Sequence, residues 1–273
     1  MTLSDAVKKQ RQEIKSDKMD MSFGEIINMY GSEEIIITPE YQRAFRWDKK
    51  KQTDFIESIL LGIPFPSIFV AANEDGKWEL IDGLQRVSTV LSFFGELKAP
   101  EKNNLTLSSG GLLPQLEGLT IDSLPVDLKL SIKRTPCRIE IIQRDSHFEM
   151  RYELFKRLNT GGEGLTRQEI RNCVFRGLPQ YKPFTDAIES NSKDGNLQSI
   201  ACISQDLKDK MLYEELCLRF FALHNFIEDY HESAVQDFFD KIMKSQCENP
   251  DIDMIDTTFA LFKKICAYLG RIR

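Results

Sequence analysis

The stretch ELIDGLQRVSTVLSFF, residues 79–94, joins the end of a predicted β-strand to the start of a predicted helix. After Ile81 the chain places an acid, a glycine, an amide and an arginine within residues 82–86. Apolar side chains then recur at the spacing of one helix face, at Val87, Val90, Leu91 and Phe94. This strand-to-helix junction decides the fold of the first half of the chain. Its polar residues either begin the helix or form a site.

Helix capping alone explains most of the polar residues at this junction. Asp82 is a favoured N-cap residue, and Gln85 three positions later completes the pattern of a capping box. Asp82 and Arg86 are four positions apart, which suits an ion pair on one helix face. On this interpretation the junction is a well-formed helix start and binds nothing.

A binding site explains Gly83 as well, which capping does not. Glycine in the first turn of a helix costs roughly 0.5–1 kcal/mol relative to alanine, so its presence suggests a close approach of the backbone to a ligand. A helix N-terminus offers free N–H groups and a positive dipole end to an anion. Arg86 could add a forked donor for phosphate oxygens, and Asp82 could hold the divalent cation that accompanies phosphate.

The composition indicates a globular chain with no membrane span or secretion signal. Of the 273 residues, 41% are hydrophobic and 29% are charged, which is ordinary for a folded domain. No apolar run approaches the ~18 residues of a membrane helix, and the N-terminus is too polar for a signal peptide. The six cysteines are scattered without a Cys-x-x-Cys pair and indicate reduced thiols. We therefore expect a cytoplasmic protein.

A local run of positive charge contrasts with the overall net charge of −6. The acidic balance gives no general reason to expect nucleic acid as a partner. Between residues 42 and 51, however, Asp48 is the only acid beside five cations, Arg43, Arg46, Lys49, Lys50 and Lys51. We predict that Arg46, Lys49, Lys50 and Lys51 contact DNA phosphates, while a solvated turn and helix start is the alternative.

The first half of the chain is predicted to be a small mixed sheet with helices. Residues 1–21 form a mobile or loosely helical leader, and a capping box at Ser22 and Glu25 begins the first helix. Further elements are a strand at 35–38, a helix from about Lys49 to Gly62, a hairpin of strands at 67–72 and 77–81, and a strand at 137–142. Residues 98–125 are expected to be a long surface excursion.

The second half is predicted to be all-helical. A helix ends near Leu158, and a capping box at Thr166 and Glu169 begins the next one. Residues 205–245 are strongly helical, and residues 256–269 form a last helix. The long helical segment has a predicted apolar face at Leu212, Leu216, Phe220, Leu223 and Ile227. The domain boundaries are therefore predicted as leader 1–21, α+β domain 22–145 and helical domain 146–273.

Four linked motifs resemble those of a known family. They are YQRAFRW at 41–47, ESILLGIPFPSIFV at 57–70, ELIDGLQRVSTVLSFF at 79–94, and FKRLNTGGEGLTRQEIRN at 155–172. Their order and spacing resemble the GmrSD-type restriction-enzyme N-terminal domain, a family of the ParB/sulfiredoxin-like superfamily. The resemblance covers about residues 22–225. It implies a ParB-like fold for the first domain.

The resemblance also implies a site for a nucleoside triphosphate with Mg²⁺, which the domain hydrolyses slowly. Asp82, Gln85 and Arg86 correspond to the family's catalytic motif, with Asp82 as the metal ligand. The family motif reads Asp-Gly-Gln-Gln-Arg, whereas this chain has Leu84 at the third position. Further nucleotide contacts are expected from both sides of this motif, at Gln42, Arg43, Gly83, Asn159, Thr160, Gly161 and Gly162.

The resemblance further implies a role in bacterial restriction or anti-phage defence. Its partners would be the nucleotide, DNA, and a separate nuclease or defence subunit. DNA cleavage by this chain is not expected, since it shows no His-Asn-His nuclease motif. Two rival hypotheses remain: a ParB-like DNA-binding module in which the nucleotide is a switch without turnover, and a partner-binding protein in which the junction is only a helix cap.

Overall fold

The computed structural model divides the chain into two compact units, Met1–Leu158 and Asn159–Arg273. The helix that ends at Leu158 therefore groups with the first unit, whereas the predicted boundary of the first domain lies at residue 145. The residues that the structure describes are 2–5, 16–38, 41–42, 44–73, 75–143, 148–158, 165–176, 181–231 and 234–272.

The first unit is built on a five-stranded mixed sheet. Its strands are β1 (Ser16–Ser22), β2 (Ile35–Ile36), β3 (Ile68–Ala72), β4 (Trp78–Asp82) and β5 (Pro136–Ile142). The order across the sheet is β1-β5-β3-β4-β2. The β1–β5 and β3–β4 pairs are antiparallel, and the β3–β5 and β2–β4 pairs are parallel. This mixed sheet and the helical second unit confirm the predicted α+β class, while the relation to ParB and sulfiredoxin stays a prediction.

Strand β1 corrects the prediction for the leader. Residues 16–22 pair antiparallel with β5, from Ser16 opposite Ile142 to Ser22 opposite Pro136, so a loose leader to residue 21 is wrong for this segment. The strand has no apolar alternation because it lies at the sheet edge and most of its residues are exposed. Backbone pairing holds it, together with a salt bridge of 2.9 Å between Arg138 Nε and Asp20 Oδ1.

The helices of the first unit begin and end largely where the sequence predicts. They are α1 (Phe23–Gly31), α2 (Lys49–Leu61), α3 (Leu84–Phe94), α4 (Val126–Arg134) and α5 (Phe148–Leu158). The Ser22 side chain accepts from Glu25 N, and the Asp48 side chain accepts from Lys51 N, so both caps are present. Gly62 ends α2 in the left-handed conformation, with φ of 71°. Helix α4 was not predicted.

Residues 98–125 are more firmly anchored than a surface excursion would be. Apart from two 3₁₀ turns, Pro100–Lys102 and Pro114–Leu116, the segment has no regular structure. Leu107, Leu116 and Leu124 are nevertheless buried in the core. Such burial fixes the segment against the sheet-and-helix layer and makes it part of the folded unit.

A buried carboxylate on α2 supplies a further anchor for this segment. Glu57 Oε1 accepts from the backbone N–H groups of Leu112 and Leu113 at 2.8 and 2.6 Å, and the side chain is buried. A side chain at Gly110 would collide with the same carboxylate. Burial alone would raise the pKa of Glu57, but the N–H groups of Leu113, Leu112 and Gly111 lower it below its ordinary value.

We expect Glu57→Gln to lower the free energy of unfolding by about 1–2 kcal/mol, because the neutral amide loses charge-assisted bonds from two backbone N–H groups. Since the folded-state pKa is below the unfolded value, this stabilisation is present above the unfolded pKa and is lost as the pH falls through the folded one. Urea unfolding at pH 7 and at pH 3 measures both effects. The control Asp54→Asn removes an exposed carboxylate from the same helix. An equal loss of unfolding free energy in both variants would contradict a stabilising role for the Glu57 hydrogen bonds to residues 112 and 113.

The second unit consists of helices alone within the part of it that the structure describes. They are α6 (Arg167–Phe175), α7 (Lys182–Ser192), α8 (Gly195–Ile200), α9 (Gln205–Asp209), α10 (Leu212–Phe226), α11 (Val235–Glu248) and α12 (Ile252–Ile272). The capping box of Thr166 and Glu169 at the start of α6 is confirmed in both directions. Helices α7 and α8 were not predicted. Within the residues that the structure describes in both units, no helix is long and apolar enough to cross a membrane.

The predicted apolar face of α10 is wrong. The buried residues of this helix include Tyr213, Cys217, Leu218 and Phe221, whereas Leu223 and Ile227, from the predicted face, are exposed. Apolar residues lie on several sides of α10, so periodicity alone could not select the face that packs. The packed side also carries two glutamates, to which the sequence analysis assigned no role. Glu214 and Glu215 are buried instead, each within a salt bridge to an arginine.

A buried polar network holds α6 against α11. The Arg171 guanidinium is fully buried and lies 2.7 Å from Asp240 Oδ1, and it also donates to Gln168 Oε1 and Gln236 Oε1. Arg167 binds the other oxygen of Asp240 at 2.7 Å. Because each charge has partners, the residues QEIRN of the fourth motif serve the packing of the second unit.

Candidate functional site

The candidate site lies where the central strand β4 passes into α3. Asp82 is the last residue of β4, and Gly83 is the N-cap of α3 with a left-handed backbone of φ 99°. No side chain caps the helix. Asp82 is therefore not the N-cap, and the capping box that the sequence allowed between Asp82 and Gln85 does not form. The polar residues of the junction are engaged elsewhere.

Gly83 is required by the backbone and by its neighbour. A positive φ of 99° is strained for any other residue, and a Cβ at this position would lie 2.9 Å from Ile68 Cγ1 on β3. The close approach that the sequence suggested for a ligand is thus already made by the core. For the same reason, alanine at this position cannot act as a simple test of helix propensity.

Arg86 holds the segment that leads into β3. Its Nη1 donates to the carbonyl oxygens of Pro66 and Ser67, the second at 3.1 Å, and its Nη2 donates to Asp82 Oδ2 at 2.8 Å. The Arg86 side chain is only 11% exposed. The predicted ion pair with Asp82 is confirmed. The carbonyl contacts are long-range and join the second motif to the third.

Gln85 holds the loop of the first motif. Its Oε1 accepts from the backbone N–H groups of Arg46 and Trp47, both at 3.0 Å. Its Nε2 donates to the carbonyl oxygen of Ala44. One amide side chain thus satisfies three backbone groups of residues 44–47. The loop in turn meets α2, since Gln52 Nε2 donates to the Trp47 carbonyl at 2.7 Å.

Asp82 is the acid of the junction that stays accessible. Its side chain is 25% exposed and forms an ion pair with Arg86. Burial raises the pKa of the Asp82 carboxyl above its ordinary value, although Arg86 and the Gly83 N–H act in the opposite direction. Across the described part of the chain, no group of three or more His, Cys, Asp or Glu residues could hold a metal ion.

The segment of Tyr41 and Gln42 adjoins the end of β4. The Tyr41 hydroxyl donates to the Ile81 carbonyl at 2.7 Å, and both residues are buried. Gln42 is half-buried, with its Nε2 3.5 Å from the Tyr30 hydroxyl. Lys102 Nζ lies 3.5 Å from the Gln42 carbonyl and 3.4 Å from that of Phe45. Sequence reasoning missed Tyr41, whose place in the first motif was the available signal, and Lys102, which carried none.

Several predicted nucleotide contacts lie outside the described residues. They are Arg43, Asn159, Thr160, Gly161 and Gly162. The structure therefore brings together Asp82, Gly83, Gln85 and Arg86 at the junction and sets the segment of Gln42 against it. The predicted contribution of the glycine-rich fourth motif stays a prediction.

Leu84 replaces the first amide of the family motif and points to the interior. It is 3% exposed and is the first residue of α3. Its side chain is therefore part of the core. The other polar residues of the junction, Asp82, Gln85 and Arg86, are present.

The basic run occupies the start of α2. Lys49, Lys50 and Lys51 are exposed on the first turn, which contains no acid, so their charges add to the positive end of the helix dipole. Lys50 Nζ lies 2.7 Å from Asp54 Oδ1 and also donates to the Ser109 carbonyl. Arg46 is half-buried, and its backbone N–H belongs to the Gln85 contact.

We expect Arg86→Ala to lower the free energy of unfolding by about 2–4 kcal/mol. The substitution leaves the carbonyl groups of Pro66 and Ser67 and the partly exposed Asp82 carboxylate without their donor, which costs far more than the loss of an exposed helix pair. Chemical denaturation measures the change. The control Arg138→Ala breaks the exposed salt bridge to Asp20 and is expected to cost at most about 1 kcal/mol. An equally small loss of unfolding free energy in both variants would show that the Arg86 hydrogen bonds to Pro66 and Ser67 do not stabilise the fold.

The comparisons with known proteins agree with this arrangement of motifs. The family described as GmrSD restriction endonuclease, N-terminal domain, matches residues 23–176. This range includes the three motifs that converge at the junction and the fourth motif to the end of α6. Neither the search of curated proteins nor the search of solved structures finds a match. The match covers more than half of the chain, which therefore belongs to the family of GmrSD restriction endonuclease N-terminal domains.

Proposed function

We propose that the chain binds a nucleoside triphosphate with Mg²⁺ at the junction of β4 and α3 and hydrolyses it slowly. One observation carries the proposal: a partly exposed carboxylate, Asp82, lies beside a helix N-terminus that no side chain caps. An uncapped N-terminus favours an anion, and a carboxylate beside that anion requires a cation between them. Membership of the restriction-endonuclease family supports a role in a restriction or defence system.

The residues at the junction fit Mg²⁺ held largely by its nucleotide. Proteins commonly bind Mg²⁺ through one or two carboxylates together with substrate phosphates and water, so a dedicated cluster of ligands is not needed. Asp82 would supply the carboxylate. The bound ion would neutralise phosphate charge and orient the transferring group.

Gln85 and Arg86 contribute by positioning in this proposal. Arg86 pairs with Asp82 at 2.8 Å, which sets the direction of the carboxylate and favours its ionised form. Gln85 fixes residues 44–47, next to Gln42. Most of their hydrogen-bonding groups are engaged within the protein, so direct phosphate contacts are expected from backbone N–H groups of α3, from Gln42 and from the predicted Arg43.

We expect purified protein to release phosphate from at least one nucleoside triphosphate in Mg²⁺, and Asp82→Asn to reduce the rate at least tenfold while the protein stays folded. The asparagine keeps the shape but removes the charge that holds the cation. Because the pKa of Asp82 is raised, Mg²⁺-dependent binding should weaken on acidification at a higher pH than an ordinary aspartate would give.

Asp54→Asn is the matched control, since Asp54 is an exposed acid on α2. Isothermal titration with and without Mg²⁺ separates binding from turnover. Binding without phosphate release in the wild type would favour a nucleotide switch. The absence of any nucleotide binding would overturn the proposal.

The lysine-bearing start of α2 favours DNA as a second ligand. Exposed lysines at the positive end of a helix dipole attract a phosphate backbone, although Lys50 is paired with Asp54 and the Asp48 carboxylate caps the helix. The three lysines, residues 49–51, come shortly after the loop of residues 44–47 that Gln85 holds. A DNA-binding module that uses the nucleotide as a switch would join the two sites through this loop.

We expect Lys49→Gln with Lys51→Gln to weaken DNA binding equally for unrelated sequences. The slope of log affinity against log salt should flatten by roughly one unit for each lost phosphate contact. Fluorescence anisotropy over a series of salt concentrations measures both quantities. Lys208→Gln, an exposed lysine of the second unit, is the control. Unchanged affinity and slope in the double variant would identify the run as an ordinary solvated surface.

A further inference from the structure

An open cleft of about 280 Å³ lies in the first unit, beside the loop that Gln85 holds. Its lining includes Phe45, Gln52, Glu101, Lys102, Asn103 and Leu105. Phe45 comes from the first motif and Gln52 from α2, and the other residues come from the segment that follows α3. The volume lies just below the range of about 300–1,000 Å³ for small-molecule sites and suits a single ring system.

The walls of the cleft are fixed by hydrogen bonds within the protein. Asn103 Nδ2 donates to the Leu97 carbonyl at 2.8 Å, and Asn103 Oδ1 accepts from the Leu97 N–H at 3.0 Å. Ser92, also in the lining, donates its hydroxyl to the Lys102 carbonyl, and its own carbonyl accepts from Asn104 N at 3.1 Å. A ligand would therefore meet a preformed surface and bear little cost of ordering it.

The cleft combines an apolar wall with hydrogen-bond acceptors and one cation, Lys102, whose Nζ lies 5.6 Å from the centroid of the Phe45 ring. Phe45 and Leu105 supply the apolar part. Glu101 is exposed and makes no ion pair or hydrogen bond with any described residue, so its carboxylate is available. Gln52 donates its Nε2 to the Trp47 carbonyl, which leaves its Oε1 as an acceptor. Such a surface fits a planar aromatic ring that presents N–H donors along one edge.

We propose that this cleft binds the base of a nucleotide and prefers guanine. Guanine presents two adjacent N–H donors, at N1 and N2, which match the two oxygens of the Glu101 carboxylate. Uracil presents a single N–H between two carbonyl oxygens, and these oxygens would face the same carboxylate. The inference rests on the proposed nucleotide function and names the base that this function leaves open.

The distance between cleft and junction suits one extended nucleotide. Ser92 lies eight positions after Leu84 on α3, so this lining residue is about 12 Å from the start of the helix along its axis, at a rise of 1.5 Å per residue. In the proposal, a nucleoside triphosphate with its base in the cleft would extend its phosphates towards the helix start. Phe45 lines the cleft, and its two sequence neighbours, Ala44 and Arg46, are bound by Gln85 on the first turn of α3.

The test compares the affinities of GTP, ITP and UTP in Mg²⁺ by isothermal titration. ITP differs from GTP by the loss of the N2 amino group alone. We expect GTP to bind roughly tenfold more tightly than ITP and UTP, as the loss of one charge-assisted hydrogen bond implies. Glu101→Gln should bring GTP to the level of ITP and leave UTP unchanged. Glu117→Gln removes an exposed carboxylate outside the cleft and should change none of the three.

A second arm uses guanosine and uridine, which lack phosphates and so probe the cleft without the junction. Saturation-transfer NMR should detect guanosine but not uridine, and Glu101→Gln should abolish the guanosine signal. Equal affinities for the three triphosphates, unaffected by Glu101→Gln, would overturn the guanine site and leave the proposed function intact. Guanosine binding without any triphosphate binding would support the cleft and overturn the proposed function. No signal for either nucleoside and no triphosphate binding would overturn both.

Discussion

Two side chains on the first turn of α3 bind backbone groups from segments that are remote in sequence, and the candidate site depends on these contacts. Gln85 satisfies three backbone groups of residues 44–47, and Arg86 satisfies the carbonyls of Pro66 and Ser67. Backbone polar groups at partly buried positions need partners, and neither segment has a strand or helix to supply them. The first three motifs of the family meet at α3 for this reason.

The residues of the junction have different structural roles. Gln85 and Arg86 act as fasteners, Gly83 provides the left-handed turn against Ile68, and Asp82 is left partly exposed at the end of β4. A carboxylate held by one arginine, beside an uncapped helix start, is well suited to a cation and its phosphate ligand. The loop of residues 44–47 places Phe45 in the cleft and is followed by the lysines of α2. The proposed contacts to the nucleotide base and to DNA would therefore both depend on the hydrogen bonds that Gln85 makes to this loop.

Local patterns predicted the elements whose stability is local. The caps at Ser22 and Thr166, the hairpin of β3 and β4, and the end of α2 at Gly62 all follow from residues within a few positions of one another. The Asp82–Arg86 pair was predictable for the same reason, because its partners are one helical turn apart.

The features that escaped prediction depend on distant partners. Strand β1 is polar and exposed, and only its pairing with β5 makes it a strand. The contacts of Gln85 and Arg86 reach some 20 to 40 positions along the chain, and the sequence therefore offered helix capping or phosphate binding as their roles. The packed face of α10 was misjudged because apolar residues lie on several of its sides, and periodicity also gives no sign that Glu214 and Glu215 are buried with arginine partners.

Amide hydrogen exchange at Arg46 and Trp47 tests most directly whether Gln85 fastens the site. Both N–H groups lie in a loop outside helices and strands, so without the Gln85 contact they would exchange rapidly. The account predicts slow exchange at both amides in the wild-type protein and a return to loop-like rates in Gln85→Ala, with the amides of α12 unchanged. Rapid exchange at Arg46 and Trp47 in the wild-type protein, or protection that survives the substitution, would contradict it.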